Sequence, residues 1–359
     1  MTEVSKSSAG HTSFVSVQIL RAAAALSVYF FHYFGSLNDD FGLFGRNVFE
    51  LGKYGVDIFF AISGFIICYA AGSETSPIRF FIKRLCRILP LYYGLTLALF
   101  MVALVAPGML NSTEANPVNL LKSLLFVPYV KENGLVQPLL FLGWTLNYEM
   151  FFYAVFALSL AAGRKAPLVA SGMIVLLVIA GYVFKPEGTV AAFYTSGIML
   201  SFVWGCLVYL VWQHRPEWIV SLKKFWPVFA ALLIVQNFTD TGLPRAFTYG
   251  VPAAFLLASV LTIQPGDGIF SRFFQAMGDA SYSLYLVHPY FLQVVVKVAL
   301  PLMGLTWLSI VTMSVTAFVM TVVGSWLLFR LFEKPSNLFL RNLLLRTPNR
   351  TANTSQLKA

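Results

Sequence analysis

Val15-Ser16-Val17-Gln18-Ile19-Leu20-Arg21-Ala22-Ala23-Ala24-Ala25-Leu26-Ser27-Val28-Tyr29-Phe30-Phe31-His32-Tyr33-Phe34-Gly35-Ser36 opens the apolar part of this chain. A run of this length spans the hydrocarbon core of a bilayer as a helix, which needs about 20 mostly apolar residues. Arg21 and His32 are its basic residues, and it has no acidic one. Ala22–Ala25 precede the most apolar stretch, the wrong order for a signal-peptide cleavage site, so the segment reads as a retained transmembrane helix.

The rest of the chain follows that pattern. It has 359 residues, 58% hydrophobic and 11% charged. Soluble domains carry about 25% charged residues, so one soluble core could not bury this much apolar surface. A soluble enzyme, a disordered protein, a coiled coil and a disulfide-rich module are excluded. An all-α polytopic membrane protein remains. Apolar windows fall at about ten places: 15–36, 54–72, 88–107, 139–160, 167–184, 193–212, 225–237, 246–263, 281–301 and 306–330. The seventh is short. The chain divides into a segment 1–14, a transmembrane domain 15–335 and a tail 336–359. Both ends are Ser/Thr/Asn-rich and expected to fray.

The net charge is +10. The basic residues sit between apolar runs, which points to membrane orientation and not to nucleic acid. With a cytoplasmic N-terminus, Arg79, Lys83, Arg84 and Arg87 fall inside. So do Arg164 and Lys165, then Arg215, Lys223 and Lys224, and the tail cations Lys334, Arg341, Arg346, Arg350 and Lys358. The opposite loops are nearly neutral. Loop 264–280 breaks the pattern, with Arg272 against Asp267 and Asp279. Cys68, Cys86 and Cys206 have no metal-ligand spacing and read as small buried hydrophobes, so no metal is expected.

Ionisable groups inside spans are costly and need a reason. Arg21 and His32 are eleven residues apart, which puts them within roughly 20° of one helix face and about 16 Å apart. Asp57 opens the second span, either as an N-cap or as a carboxylate that holds an imidazole such as His32 in one tautomer. Glu149 lies mid-span in Gly143-Trp144-Thr145-Leu146-Asn147-Tyr148-Glu149. His288 lies just before Pro289, suited to helix packing or to chemistry. Lys297 is placed to snorkel outward. Arg84 and Arg87, three apart, share a helix face; they suit phosphate binding or serve as a positive-inside signal.

Arg21 with ten intervening residues before His32 resembles the signature of the acyltransferase-3 family of integral membrane O-acyltransferases. Gly55-Val56-Asp57-Ile58-Phe59-Phe60-Ala61-Ile62-Ser63-Gly64-Phe65 and Arg84-Leu85-Cys86-Arg87 resemble further family motifs. So do Trp144–Glu149, Ser281–His288 and Phe332-Glu333-Lys334-Pro335, and the likeness covers roughly 15–340. Within the family the chain looks most like bacterial exopolysaccharide or lipopolysaccharide O-acetylases of the inner membrane. The resemblance implies transfer of an acyl group, most often acetyl, from cytosolic acyl-CoA to a glycan hydroxyl. It implies that His32 is essential and that Arg21, Arg84 and Arg87 matter.

That chemistry needs cations for the CoA phosphates, which Arg21, Arg84 and Arg87 provide. It needs a base for the acceptor hydroxyl, which a neutral His32 provides, oriented by Asp57 or Glu149. It also needs donors to an oxyanion or to the substrate, for which Trp144, Asn147, Tyr285 and His288 are candidates. An acyl-histidine intermediate is a second route. The lipid bilayer and a lipid-linked or exported glycan are the expected partners. A transporter or flippase of glycan intermediates, or a glycan polymerase, is the rival, and neither consumes a CoA thioester.

Overall fold

The computed structural model describes residues 14–42, 49–72, 74–110, 113–236, 238–239, 241–304 and 306–345. Sixteen α-helices run through them. They are α1 Val15–Phe41, α2 Gly55–Ala71, α3 Pro77–Val105, α4 Pro117–Leu124, α5 Trp144–Ser159, α6 Ala166–Phe184, α7 Thr189–Tyr194 and α8 Leu200–His214. They continue as α9 Pro216–Leu222, α10 Trp226–Val235, α11 Val251–Val260, α12 Ile269–Asp279, α13 Ser281–Val294, α14 Leu300–Met303, α15 Trp307–Leu328 and α16 Lys334–Leu344. Three π-helical turns adjoin them, at Ala246–Gly250, Val295–Ala299 and Phe329–Glu333.

Seven helical segments among these residues are long and apolar enough to cross a membrane. Lipid offers the backbone no hydrogen-bond partner, so an apolar segment satisfies its own N–H and C=O groups by closing into a helix. The protein is an all-α, multi-pass membrane protein. The longest apolar run, Phe141–Phe184, divides into two helices at Gly163, whose φ of 56° and ψ of −126° leave the helical region. The expected pair 139–160 and 167–184 thus lies on α5 and α6.

Several boundaries differ from the apolar windows. The third window opens at 88, but α3 begins at Pro77, where Ser76 Oγ accepts from the Arg79 backbone N–H. Arg79, Lys83, Arg84 and Arg87 therefore ride on helix and not on a loop. The window method failed because charge lowers hydropathy without ending a helix. For the same reason Lys223 and Lys224, expected in a loop, occupy a 3-10 turn inside the helical run Pro216–Val235. The sixth window begins on α7 and crosses a short 3-10 turn at Gly197–Met199 before α8. Downstream of 335 the chain does not fray at once: α16 runs to Leu344 and packs along α3. The tail cations Arg346, Arg350 and Lys358, and the segment 1–13, lie outside the described residues.

The tightest crossing joins α2 to α8. A Cβ on Gly64 would sit 2.2 Å from the Phe202 carbonyl oxygen, and one on Gly205 would sit 2.0 Å from that of Ala61. Both obstacles are backbone, which cannot swing away. Glycine at 64 and 205 is thus what lets the two helices meet, the usual small-residue device in membranes. Around the crossing Phe60 stacks on Phe202 (centroids 4.3 Å apart) and Phe202 on Phe152 (4.6 Å). Cys68, Cys86 and Cys206 are buried free thiols, as expected. We expect Gly205→Val to force α2 and α8 apart at a cost of about 1–3 kcal/mol or more. It should lower the thermal midpoint in detergent well below that of a surface change such as Leu176→Val, and equal midpoints would refute the close crossing.

Candidate functional site

Call the end at which α1 begins the near end. A cavity of about 340 Å³ opens among α1, α2, α3, α5 and α13. On α2 its lining runs from Ala70 to Val56, which spans about 21 Å at 1.5 Å per residue. Phe14 at the N-cap of α1, Gln18 and Arg21 of α1, and Arg84 and Arg87 of α3 line the near half. The three arginines singled out in the sequence therefore face one space.

Their pairing is unusual. Arg21 Nη1 donates to Gln18 Oε1 at 3.2 Å. Arg84 lies over the Phe80 ring at 5.5 Å, and its buried Nε has no hydrogen-bond partner. Among the described residues no carboxylate lies within 4.0 Å of any of the three guanidiniums. Lys83, by contrast, is paired with Glu74 at 2.5 Å. Burial pushes the Glu74 carboxyl up, but the Lys83 ammonium, the Ser76 backbone N–H and Arg79 together outweigh it and hold the group below its ordinary range.

Glu149 lines the same cavity. It accepts from Ser63 Oγ at 3.0 Å and from Tyr153 Oη. Its partners are hydroxyls and not His32, so the expected Glu149–imidazole contact is absent. Glu333, from the π-helical turn after α15, is buried and accepts from Ser283 Oγ at 2.5 Å.

His32 does not line the cavity. Its Nδ1 lies 3.0 Å from the Val28 carbonyl oxygen and 3.1 Å from His288 Nε2. His288 Nδ1 lies 3.0 Å from the Leu284 carbonyl oxygen. A carbonyl only accepts, so His288 Nδ1 carries the proton and the neutral ring presents Nε2 as a lone pair. His32 Nδ1 faces a carbonyl and that lone pair, so it too carries its proton. The tautomer leaves His32 Nε2 unprotonated. His288, assigned to the substrate in the sequence, is fully buried behind His32 and acts on the ring.

Asp57 does something other than either expectation. The N-cap of α2 is Tyr54, with no side-chain cap bond, and Asp57 does not reach His32. Its carboxylate, 0% exposed, accepts from Arg245 Nη2 at 2.9 Å and Nε at 3.1 Å, and from Ser201 Oγ at 3.2 Å. Arg245 also donates to the Lys53 carbonyl at 3.4 Å. The pair ties α2 to α8 and to the π-helical turn before α11. The sequence reading passed over Arg245 because it sits at a window edge. The available signal was a lone arginine, in Gly242-Leu243-Pro244-Arg245, where the other far-side loops are nearly neutral.

Of the remaining candidates, Tyr285 lines the cavity, and its Oη and Thr145 Oγ1 are hydrogen-bonded at 3.1 Å. Trp144 is half-buried with its ring edge-on to Tyr148, and Asn147 is buried with Oδ1 unpartnered; neither lines the cavity. Lys297 is exposed on the π-helical turn after α13.

Three arginines with no carboxylate within 4.0 Å among the described residues thus line one cavity inside a helical membrane bundle, and a histidine pair lies outside its lining. Residues 14–330 match the family model described as an acyltransferase domain, and the chain belongs to this family of membrane acyltransferases. It is 36% identical over 259 residues, 70% of this chain and 80% of the relative, to the exopolysaccharide production protein ExoZ of Rhizobium meliloti. It is 26% identical to nodulation protein 10 of Rhizobium leguminosarum, over 94% of this chain and 97% of that one. The putative peptidoglycan O-acetyltransferase YrhL of Bacillus subtilis is 26% identical over 75% of this chain and 47% of its own length. No solved structure matches.

The Asp57–Arg245 pair makes an asymmetric prediction. Arg245→Ala strands a carboxylate with no exposure, at about 3–5 kcal/mol. Asp57→Ala strands a guanidinium that is 35% exposed, which water solvates at a cost of about 1 kcal/mol. Thermal unfolding should rank Arg245→Ala as the more damaging, and the reverse order would contradict the assigned pairing.

Proposed function

We propose that this protein is an O-acyltransferase of the bacterial inner membrane that moves a short acyl group, most simply acetyl, from acyl-CoA to a hydroxyl of an exported or lipid-linked glycan. The observation that carries the reading is the set of three guanidiniums on one cavity without a carboxylate partner. The buried, unpartnered Nε of Arg84 leaves a donor for an anion. Phosphate groups suit such a set, because planar guanidiniums bind them in a bidentate manner. The names of the relatives, one linked to exopolysaccharide and one to peptidoglycan O-acetylation, support a glycan acceptor.

In this reading the helices cross about ten times, with both ends and the arginine end of the cavity facing the cytoplasm. Arg21, Arg84 and Arg87 hold the donor's phosphates. Glu149, fixed by Ser63 and Tyr153, faces the arm that carries the thioester. His32 Nε2 takes the proton of the acceptor hydroxyl, the role its tautomer leaves open. His288 Nε2 accepts from His32 Nδ1 and keeps that ring in place, the part a carboxylate plays in a hydrolase triad. Acyl-CoA supplies an activated carbonyl: the acceptor oxygen forms the ester bond, the carbon–sulfur bond breaks, and the sulfur leaves as a thiol with the proton His32 took up. Tyr285 Oη, once released from Thr145, is the hydroxyl at the deep end that can donate to the developing oxyanion, since the Thr145 proton goes to the Leu142 carbonyl.

The test uses purified protein in nanodiscs, with acetyl-CoA as the donor and a membrane glycolipid extract as the acceptor. The wild type binds acetyl-CoA and releases thiol. Arg84→Ala weakens binding by about tenfold or more, the loss of one charge-assisted contact. His32→Ala keeps binding and lowers thiol release by about 10²–10⁴-fold. His288→Ala keeps binding and lowers turnover by a smaller factor. A wild type that neither binds acetyl-CoA nor releases thiol would move the transporter or flippase reading ahead.

A further inference from the structure

Resting on the acyl-transfer reading above, we propose that Tyr285, braced by Thr145, is the partition between the arginine cavity and the histidine pair, and that its ring restricts the acyl group reaching His32 to a short one. Arg21 and His32 sit on α1, yet only Arg21 lines the cavity. The cavity ends at Val56, Phe59, Phe60, Thr145, Leu146 and Tyr285. Beyond that wall the next group on α13 is His288, three residues along from Tyr285. The two rings are 6.2 Å apart, centroid to centroid, and His288 Nε2 is 3.1 Å from His32. The Tyr285 ring therefore stands between the cavity and the histidine pair, with His288 between it and His32.

Two features make this ring a partition and not ordinary wall packing. It is buried at the end of the cavity, with Phe59 edge-on at 5.9 Å. And it is held across the passage by one hydroxyl pair, Tyr285 to Thr145 at 3.1 Å, while Thr145 also bonds the Leu142 carbonyl at 3.0 Å. A bond of this kind has a net worth of about fivefold in an equilibrium. A bound ligand that offers a hydrogen bond to either hydroxyl can replace it.

The test has two arms. In the first, His32→Cys is labelled in inside-out vesicles with a membrane-impermeant methanethiosulfonate, and the protein with native His32 gives the background from the buried thiols. Labelling is slow in the otherwise native protein. It rises by about fivefold when Thr145→Val removes the brace without changing volume, and again with Tyr285→Ala, which removes the ring. The size chosen is that of one lost hydrogen bond. Equal rates in all three proteins overturn the partition. In the second arm, proteins with native His32 are offered acetyl-CoA and butyryl-CoA. Tyr285→Ala raises the butyryl-to-acetyl ratio of thiol release by about tenfold or more, the scale of discrimination by two methylenes. Tyr285→Phe, which keeps the ring, leaves the ratio near that of the wild type. An unchanged ratio in Tyr285→Ala overturns the size role. A wild type that consumes neither donor defeats the acyl-transfer reading itself, while the labelling arm still decides the partition.

Discussion

Charge inside an apolar bundle is the constraint around which this structure is arranged. An arginine in a membrane span is tolerated where it meets a carboxylate, a carbonyl or a water-filled cavity. The protein uses the first solution for Arg245, whose fork closes on Asp57 with two nitrogens. It withholds that solution from Arg21, Arg84 and Arg87, and the one carboxylate in their cavity, Glu149, is taken by Ser63 and Tyr153. Three like charges on one wall repel one another, so the helices that carry them must be held by packing elsewhere. The α2–α8 crossing at Gly64 and Gly205 and the aromatic stack of Phe60, Phe202 and Phe152 supply part of that packing.

The histidine pair follows the same economy of charge. A carboxylate behind His32 would favour the imidazolium and so remove the free base that a neutral ring provides. His288 gives His32 an acceptor with no charge of its own, which fixes the ring and tautomer while leaving Nε2 bare. Among the described residues the protonated state of His32 then has no carboxylate within 4.0 Å. That suits a proton held briefly and passed on to a leaving group, and it suits a dry site poorly for long storage of charge.

Much of the fold could be read in the sequence because lipid makes helix the only outcome for a long apolar run. The places where the reading slipped are those where charge and helix coincide: the first turns of α3, and Lys223 with Lys224 inside Pro216–Val235. The cationic side of the site was legible too, since Arg21, Arg84 and Arg87 are isolated charges on helices that must face one another. What spacing could not supply is partner choice. Asp57 and Glu149 had equal claims on His32, and the tertiary fold gave both to other residues. Arg245 had no periodicity to mark it, and Glu333 became part of the interior only through a π-helical turn, which no apolar pattern encodes.

The geometry along α1 then constrains how the two halves of the site can work together. Eleven helical residues set Arg21 and His32 about 16 Å apart, and the cavity reaches about 21 Å along α2 without including His32. On the proposed orientation a donor anchored by its phosphates at the near end must be extended to bring its thioester to the far wall. Anchor and base are then fixed to one rigid helix, so a shift of α1 moves both together and the distance between them is conserved. The variable part is the wall, a single ring on α13 one turn from His288. Placing the movable element on the helix that also bears the positioning histidine couples the passage to the ring behind His32, because any rotation of α13 that displaces Tyr285 also acts on the His288–His32 contact.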